Sequence, residues 1–177
     1  MPPKLAAAAA KSSASSVSGG KGRNFWLLKS EPHVFSIDQM KANGVEPWEG
    51  IRNYLARNYL RDGMKVGDLC IFYHSSCKPP GAVGVVAVNS EAYADPTQFE
   101  TGSKYYDAKS SKVDPRWWLV DVKFVEKFEE MVPLALLKSA PDLEGMLLWK
   151  RPRLSVVPVT EKEFQSVLKY AGATMTV

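Results

Sequence analysis

Apolar and polar positions divide the chain into short runs, most of them strand-like, separated by turn residues. Phe25-Trp26-Leu27-Leu28 is continuous and apolar and ends at Lys29-Ser30-Glu31-Pro32. It predicts a buried first strand closed by a turn at the proline. Ser36 at an N-cap position with Gln39 three residues on is a capping-box pattern, and predicts a helix that Gly44 stops. A second helix is predicted from about Gly50 to Leu60: Ile51, Tyr54 and Leu55 share a face at helical spacing, while Arg52 and Arg57 project elsewhere. Leu69 to His74 and the β-branched run Ala82 to Val88 read as strands. Asn89 to Asp114 is a long polar connection containing Tyr105-Tyr106-Asp107, and a connection of that length usually serves or covers a site. Trp117 to Phe128 alternates and predicts one long strand; Pro133 to Lys138 predicts a short helix with proline in its first turn. Leu154 to Val159 is a further strand, and Thr160-Glu161-Lys162-Glu163 opens a final helix with a second capping box.

Hairpins and loops join these strands without regular helical crossovers. The fold class is therefore α/β (α+β), a mixed and mostly antiparallel sheet curled into an open barrel with helices outside. Residues 24–172 form one domain, and 173–177 a short C-terminal tail. The first 23 residues are low-complexity Ala, Ser, Gly and Lys without an aromatic, and are predicted to be disordered. Their acid-free make-up suits an organelle transit peptide, and their sparse basic charge suits nuclear import. No apolar run approaches the roughly 18 residues that cross a bilayer, so no membrane partner is expected.

Charge changes this picture only locally. The formal net charge is +4, and Lys4, Lys11, Lys21 and Arg23 stand among the first 24 residues with no acid, leaving 19 residues of each sign in the remainder. Any nucleic-acid affinity of the folded part must come from patches and not from bulk charge. Cys70 and Cys77 make no disulfide framework, and two cysteines with the distant His33 and His74 lack metal-ligand spacing. His74 adjoins Ser75 and Ser76, but neighbours on a strand point to opposite faces, so no nucleophile–base pair is read there. Phosphate-binding and dinucleotide fingerprints are absent, so neither catalysis nor a cofactor is expected.

Aromatic residues are more informative. Trp26, Trp48, Trp117, Trp118 and Trp149 include several beside Lys or Arg. A flat, unstacked base needs an aromatic face to lie on and polar groups to identify its edge. In so small a domain a lone tryptophan is more often core. Trp48-Glu49-Gly50-Ile51-Arg52-Asn53 places a ring, a guanidinium and an amide in one loop-to-helix segment. Asparagine reads a base edge bidentately, and arginine meets a phosphate or a base. The bland alternative is a capped surface helix with solvated arginines.

Trp26 to Pro32, Phe35-Ser36, and Trp48 to Arg57 together resemble the opening of EVE domains. Gly67-Asp68, Tyr73-His74-Ser75, Tyr105-Tyr106-Asp107, Arg116-Trp117 and Arg153-Leu154-Ser155-Val156 follow in that family's order. The resemblance implies a PUA-like open β-barrel flanked by helices, related to YTH readers of methylated adenosine. It also implies binding of modified nucleobases, such as 5-hydroxymethylcytosine in DNA, by a nuclear monomer. Carried over residue by residue, it places Trp26, Lys29, Ser30, Glu31, Trp48, Arg52, Asn53, Tyr73, His74, Ser75, Arg153 and Ser155 around one base pocket. Trp48 or Trp26 would stack on the base; Asn53, Ser30 and Ser75 would read its edge; Lys29, Arg52 and Arg57 would hold phosphates. Modified RNA is the alternative ligand, with an enzyme acting on nucleic acid or a protein-interaction module as readings of other classes.

Overall fold

The computed structural model describes residues 22–177. Apart from Gly22 and Arg23, the predicted disordered tail lies outside the described residues. Three apolar strands build the centre: β1 (Phe25–Ser30), β3 (Leu69–His74) and β4 (Gly81–Val88), each buried over most of its length. The short β2 (Val45–Pro47) and the 13-residue β7 (Asp121–Pro133) flank them on one side, and β8 (Val156–Val159) on the other. The sheet order is β2-β7-β4-β3-β1-β8, and β5 (Tyr93–Ala94) with β6 (Trp118–Leu119) forms a separate small ladder.

Only the β1–β3 pairing is parallel, with Ser30 opposite His74; the other pairs in the sheet are antiparallel. Register shifts in the β3–β4 and β4–β7 ladders mark bulges, which sharpen twist and bend the sheet into a half-barrel. Gly84 makes that approach possible: a Cβ there would sit 2.4 Å from the Glu126 carbonyl oxygen. The open edges are blunted, since β2 ends at Pro47 and β8 contains Pro158, which has no N–H to offer.

Helices cover the outside. The predicted capping box at Ser36 opens α1 (Ile37–Asn43), with both reciprocal bonds formed and Gly44 closing it. The box at Thr160 opens α5 (Glu161–Ala171), whose Phe164 ring lies 4.8 Å from that of Phe25. The second helix starts later than expected: α2 (Tyr54–Asn58) is capped by Asn53 and runs into a π-helical turn, Tyr59–Gly63. The predicted long strand from Trp117 breaks at Val120, where the chain leaves β6 for β7. α3 (Leu134–Ser139) follows Pro133, and α4 (Leu147–Lys150) had no signal in the hydrophobic pattern. Residues 173–177 are docked, not loose: the Thr174 and Met175 N–H groups donate to the Glu126 carboxylate, and Met175 and Val177 pack on the core.

Candidate functional site

Beyond the end of β1 lies a cleft of about 720 Å3. Its walls come from the β1–α1 connection, the segment Glu46 to Arg52, Ser155 before β8, and Lys104-Tyr105 of the long connection. The connection is held there by Arg52. Its Nε donates to the Tyr105 carbonyl at 2.9 Å, and Nη2 to the same oxygen at 2.6 Å and to Thr97 Oγ1 at 2.9 Å. Nη1 donates to Asp95 Oδ2 at 2.8 Å and to the Ile51 carbonyl at 3.0 Å. All five guanidinium N–H groups are used.

Asp95, with a side chain only 1% exposed, also accepts from Gly50 N–H and from the Thr97 N–H and hydroxyl. Burial pushes its carboxyl up, but the bonds from Thr97, Arg52 and Gly50 outweigh that and hold it below the usual carboxylate range. Gly50 itself is at φ +79°, and a Cβ there would lie 2.5 Å from the Tyr105 ring. The ring therefore rests directly on backbone, and only glycine permits this.

Trp48 forms the floor. It is 6% exposed and stands edge-on to Phe72 at 5.4 Å and to Phe35 at 6.4 Å. Three carboxylates surround it. Glu31 is engaged by Ser76 and His33, and Glu46 by Asn43. Glu49 has no hydrogen-bond partner among the described residues, and its carboxyl is raised by partial burial and by Asp95, Glu100 and Glu46, with Arg52 opposing. The Ser155 hydroxyl is equally uncommitted, whereas Ser30 Oγ donates to the Phe35 carbonyl at 2.7 Å. Lys29 Nζ donates to the Pro152 carbonyl at 2.8 Å, with its pKa lowered by burial, and keeps two N–H groups for a ligand.

Of the residues expected to share one pocket, Lys29, Ser30, Glu31, Trp48, Arg52 and Ser155 meet in this cleft. Tyr73 and Ser75 line a second cleft of about 280 Å3, which Lys29 also borders. Four lie in neither. Trp26 is in the core, its Nε1 donating to Asp68 Oδ2 at 2.9 Å and its ring against Tyr59, so its faces are covered and it cannot stack on a base. Asn53 Oδ1 accepts from Leu55 and Ala56 N–H; the oxygen a bidentate base contact needs is spent on the helix cap. His74 Nε2 accepts from Ile37 N–H at 3.1 Å, and Arg153 is exposed outside both clefts. Arg52 has no donor left for a phosphate.

Arg57 differs from Arg52. Its donors reach the Asn58 side chain and the Arg116 carbonyl, leaving two N–H groups open. It lies 4.9 Å over the Tyr54 ring, which stacks on Trp117 at 4.9 Å; Trp117 in turn lies 5.4 Å from Arg52 Cζ, so this platform adjoins the cleft. Burial and then Arg61 lower the Arg57 pKa, with Tyr54 and Asp62 opposing. Tyr105, Lys104, Glu46 and Glu49 were not picked out by sequence reasoning as site residues. Two signals pointed to Tyr105: the length of the Asn89–Asp114 connection and the place of Tyr105-Tyr106-Asp107 among the EVE-like motifs.

The EVE domain family model matches residues 24–170. Mouse thymocyte nuclear protein 1 is 44% identical over an alignment of 170 residues, covering 85% of this chain and 75% of that one. A solved structure of a hypothetical protein from Leishmania major superposes with a TM-score of 0.83 at 43% identity, covering 86% of this chain and 96% of that one. The crystal structure of human THYN1 in complex with DNA containing 5-methylcytosine superposes with a TM-score of 0.80 at 42% identity, covering 86% and 99%.

Proposed function

The chain belongs to the EVE domain family, and from that premise we propose that it reads a modified cytosine of DNA, held without chemistry in the Trp48 cleft. The likeness to a human protein crystallised with 5-methylcytosine DNA supports the substrate class. The observation that carries the reading is local: the uncommitted polar groups of the cleft, the Glu49 carboxylate and the Ser155 hydroxyl, stand among the apolar surfaces of Phe35, Trp48 and Tyr105. A carboxylate oxygen accepts from the cytosine N4 amine, which thymine lacks. Partial burial and the neighbouring carboxylates raise the Glu49 pKa, and its oxygens stay free to accept because no donor among the described residues holds them. Trp48, so little exposed, gives the base a floor, and Tyr105 gives it a side wall. Ser155 offers a partner to a 5-hydroxymethyl group, which favours 5-hydroxymethylcytosine over 5-methylcytosine.

Reaching such a cleft requires the base to leave its stack, and the two free N–H groups of Lys29 and the Arg57 platform would then hold the backbone. Binding without catalysis is supported by how the polar groups are committed: neither histidine lines the cleft, Arg52 is saturated, and the Ser30 proton is given to a carbonyl. The naming of the mouse and human relatives as nuclear proteins supports a nuclear site of action. No helix among the described residues is long and apolar enough to cross a membrane.

The test is a calorimetric titration of the protein with oligonucleotides of one sequence: DNA carrying cytosine, 5-methylcytosine or 5-hydroxymethylcytosine at one position, and RNA carrying 5-methylcytosine. Modified DNA is expected to bind at least about tenfold tighter than unmodified DNA, a difference of roughly 1.4 kcal/mol. Equal affinity for all four would overturn the reading.

A further inference from the structure

The second cleft is unassigned, and its chemistry complements the first. It is lined by Lys29, Tyr73, Ser75, Lys138, Trp149 and Pro152 among others, with two lysines and no carboxylate in its wall. Trp149 is half-buried, its indole N–H fixed on the Leu143 carbonyl at 2.7 Å. Tyr73 is 4% exposed, yet its hydroxyl has no hydrogen-bond partner among the described residues. Burial, and then Cys77, push its pKa up to about 12, so the hydroxyl stays protonated and able to donate. Lys29 and Tyr73 are register partners on the parallel strands β1 and β3, which sets the lysine between the two clefts.

We propose that this notch receives the base of the nucleotide next to the modified cytosine on the same strand, with the phosphate that joins them at the Lys29 ammonium. The inference rests on the first cleft holding the modified base. Continuity through Lys29, the positive wall and an aromatic ring beside an open hydroxyl all favour a neighbouring nucleotide over an unrelated ligand. Stacking on tryptophan is tolerant of base identity, so the notch adds affinity with little sequence preference. The Ser75 and Ser76 hydroxyls of the same wall donate to the Ser30 carbonyl and the Glu31 carboxylate, and keep lone pairs to accept from the sugar or the base edge.

Trinucleotides of equal charge separate the two claims. The probes carry central 5-methylcytosine with abasic sites on both sides, with thymine on the 5′ side only, or with thymine on the 3′ side only. Thymine on one side is expected to tighten binding roughly tenfold over the doubly abasic probe. Trp149→Ala should remove that gain and leave the doubly abasic probe unaffected. Tyr73→Phe, which deletes only the hydroxyl, should reduce the gain and serves where the alanine variant does not fold. Binding of the doubly abasic probe with no gain from either thymine overturns the notch and leaves the modified-base reading standing. So does a gain that survives Trp149→Ala and Tyr73→Phe unchanged. No binding of any probe overturns both.

Discussion

Arg52 is the residue whose role the structure changes most, and its substitution discriminates sharply. A phosphate-binding arginine and a structural clamp differ in what their loss does. The guanidinium is 21% exposed, pairs with a carboxylate that is 1% exposed, and gives two of its bonds to the backbone that presents Tyr105. Removing one member of a buried pair typically costs about 3–5 kcal/mol. Arg52→Ala belongs at the lower end, about 3 kcal/mol, because Asp95 keeps the Gly50 N–H, the Thr97 N–H and the Thr97 hydroxyl. In a domain of this size that lowers Tm by roughly 6–12 °C. Arg52→Lys restores the charge but not the fork, and is expected to recover less than half of the loss.

Two measurements test this together: urea unfolding for stability, and affinity for the modified oligonucleotide across a salt series. The clamp predicts a large stability loss, weaker binding through a displaced Tyr105, and an unchanged slope of log affinity against log salt. A phosphate contact predicts stability within about 0.5 kcal/mol of wild type and a slope smaller by about 1. The second pattern would refute the clamp. Acid adds a signed check. A carboxyl held below its unfolded value of about 3.9 contributes stability that is complete above that value and is lost as pH falls through the folded one. Because Arg52 helps depress Asp95, the wild-type advantage over Arg52→Ala should narrow below about pH 4.

Arg57→Ala should weaken modified and unmodified DNA alike and reduce the salt slope by about 1, read from the same salt series. Asn53→Ala should cost about 1 kcal/mol in urea unfolding through loss of the α2 cap, with discrimination between cytosine and modified cytosine intact; a loss of discrimination would return Asn53 to the site. Ser155→Ala should cut the preference for 5-hydroxymethylcytosine over 5-methylcytosine about fivefold, the worth of one net hydrogen bond, in a competition titration. His74 has its pKa lowered by burial and by Lys127, against Asp38, and its neutral ring accepts from Ile37. Its contribution is complete above the unfolded value of about 6.5 and lost as pH falls below it, so the unfolding midpoint should fall between pH 7.5 and 5.5, and His74→Gln should flatten that fall.

Local structure was legible in the sequence, though not every local signal was read. Both capping boxes formed, because their partners are three residues apart. The same rule contained the role of Asn53, a favoured N-cap residue, but a helix start set at Gly50 hid it. Trp26 was legible as well: three residues before Lys29 on one strand, it faces the opposite way and cannot share a wall with it. Arg52 was not legible, since Asp95, Thr97 and Tyr105 lie 43, 45 and 53 residues away and nothing in the intervening polar segment marks them as its partners. Glu49 was hidden for a different reason. Its distinction is a missing hydrogen bond, and that exists only once Glu31 and Glu46 have found theirs.

The parallel β1–β3 pair explains why one expected slot became two clefts. In an antiparallel pair the chain would leave β1 and β3 at opposite ends, and their outgoing segments would never meet. Parallel pairing with Ser30 opposite His74 puts both exits on one edge, where the Ser75 N–H donates to the Ser30 carbonyl. From there the chain after β1 turns toward Trp48, and the chain after β3 toward Pro80 and Trp149, so each exit walls a separate hollow. Lys29, last but one on β1, is left on the ridge between them. A single isolated base needs one hollow; a strand of nucleic acid passing over the ridge meets both, with a cation at the place where its phosphate must cross. On the proposed function, that arrangement makes the protein sensitive to a base in its strand and not to the free base alone.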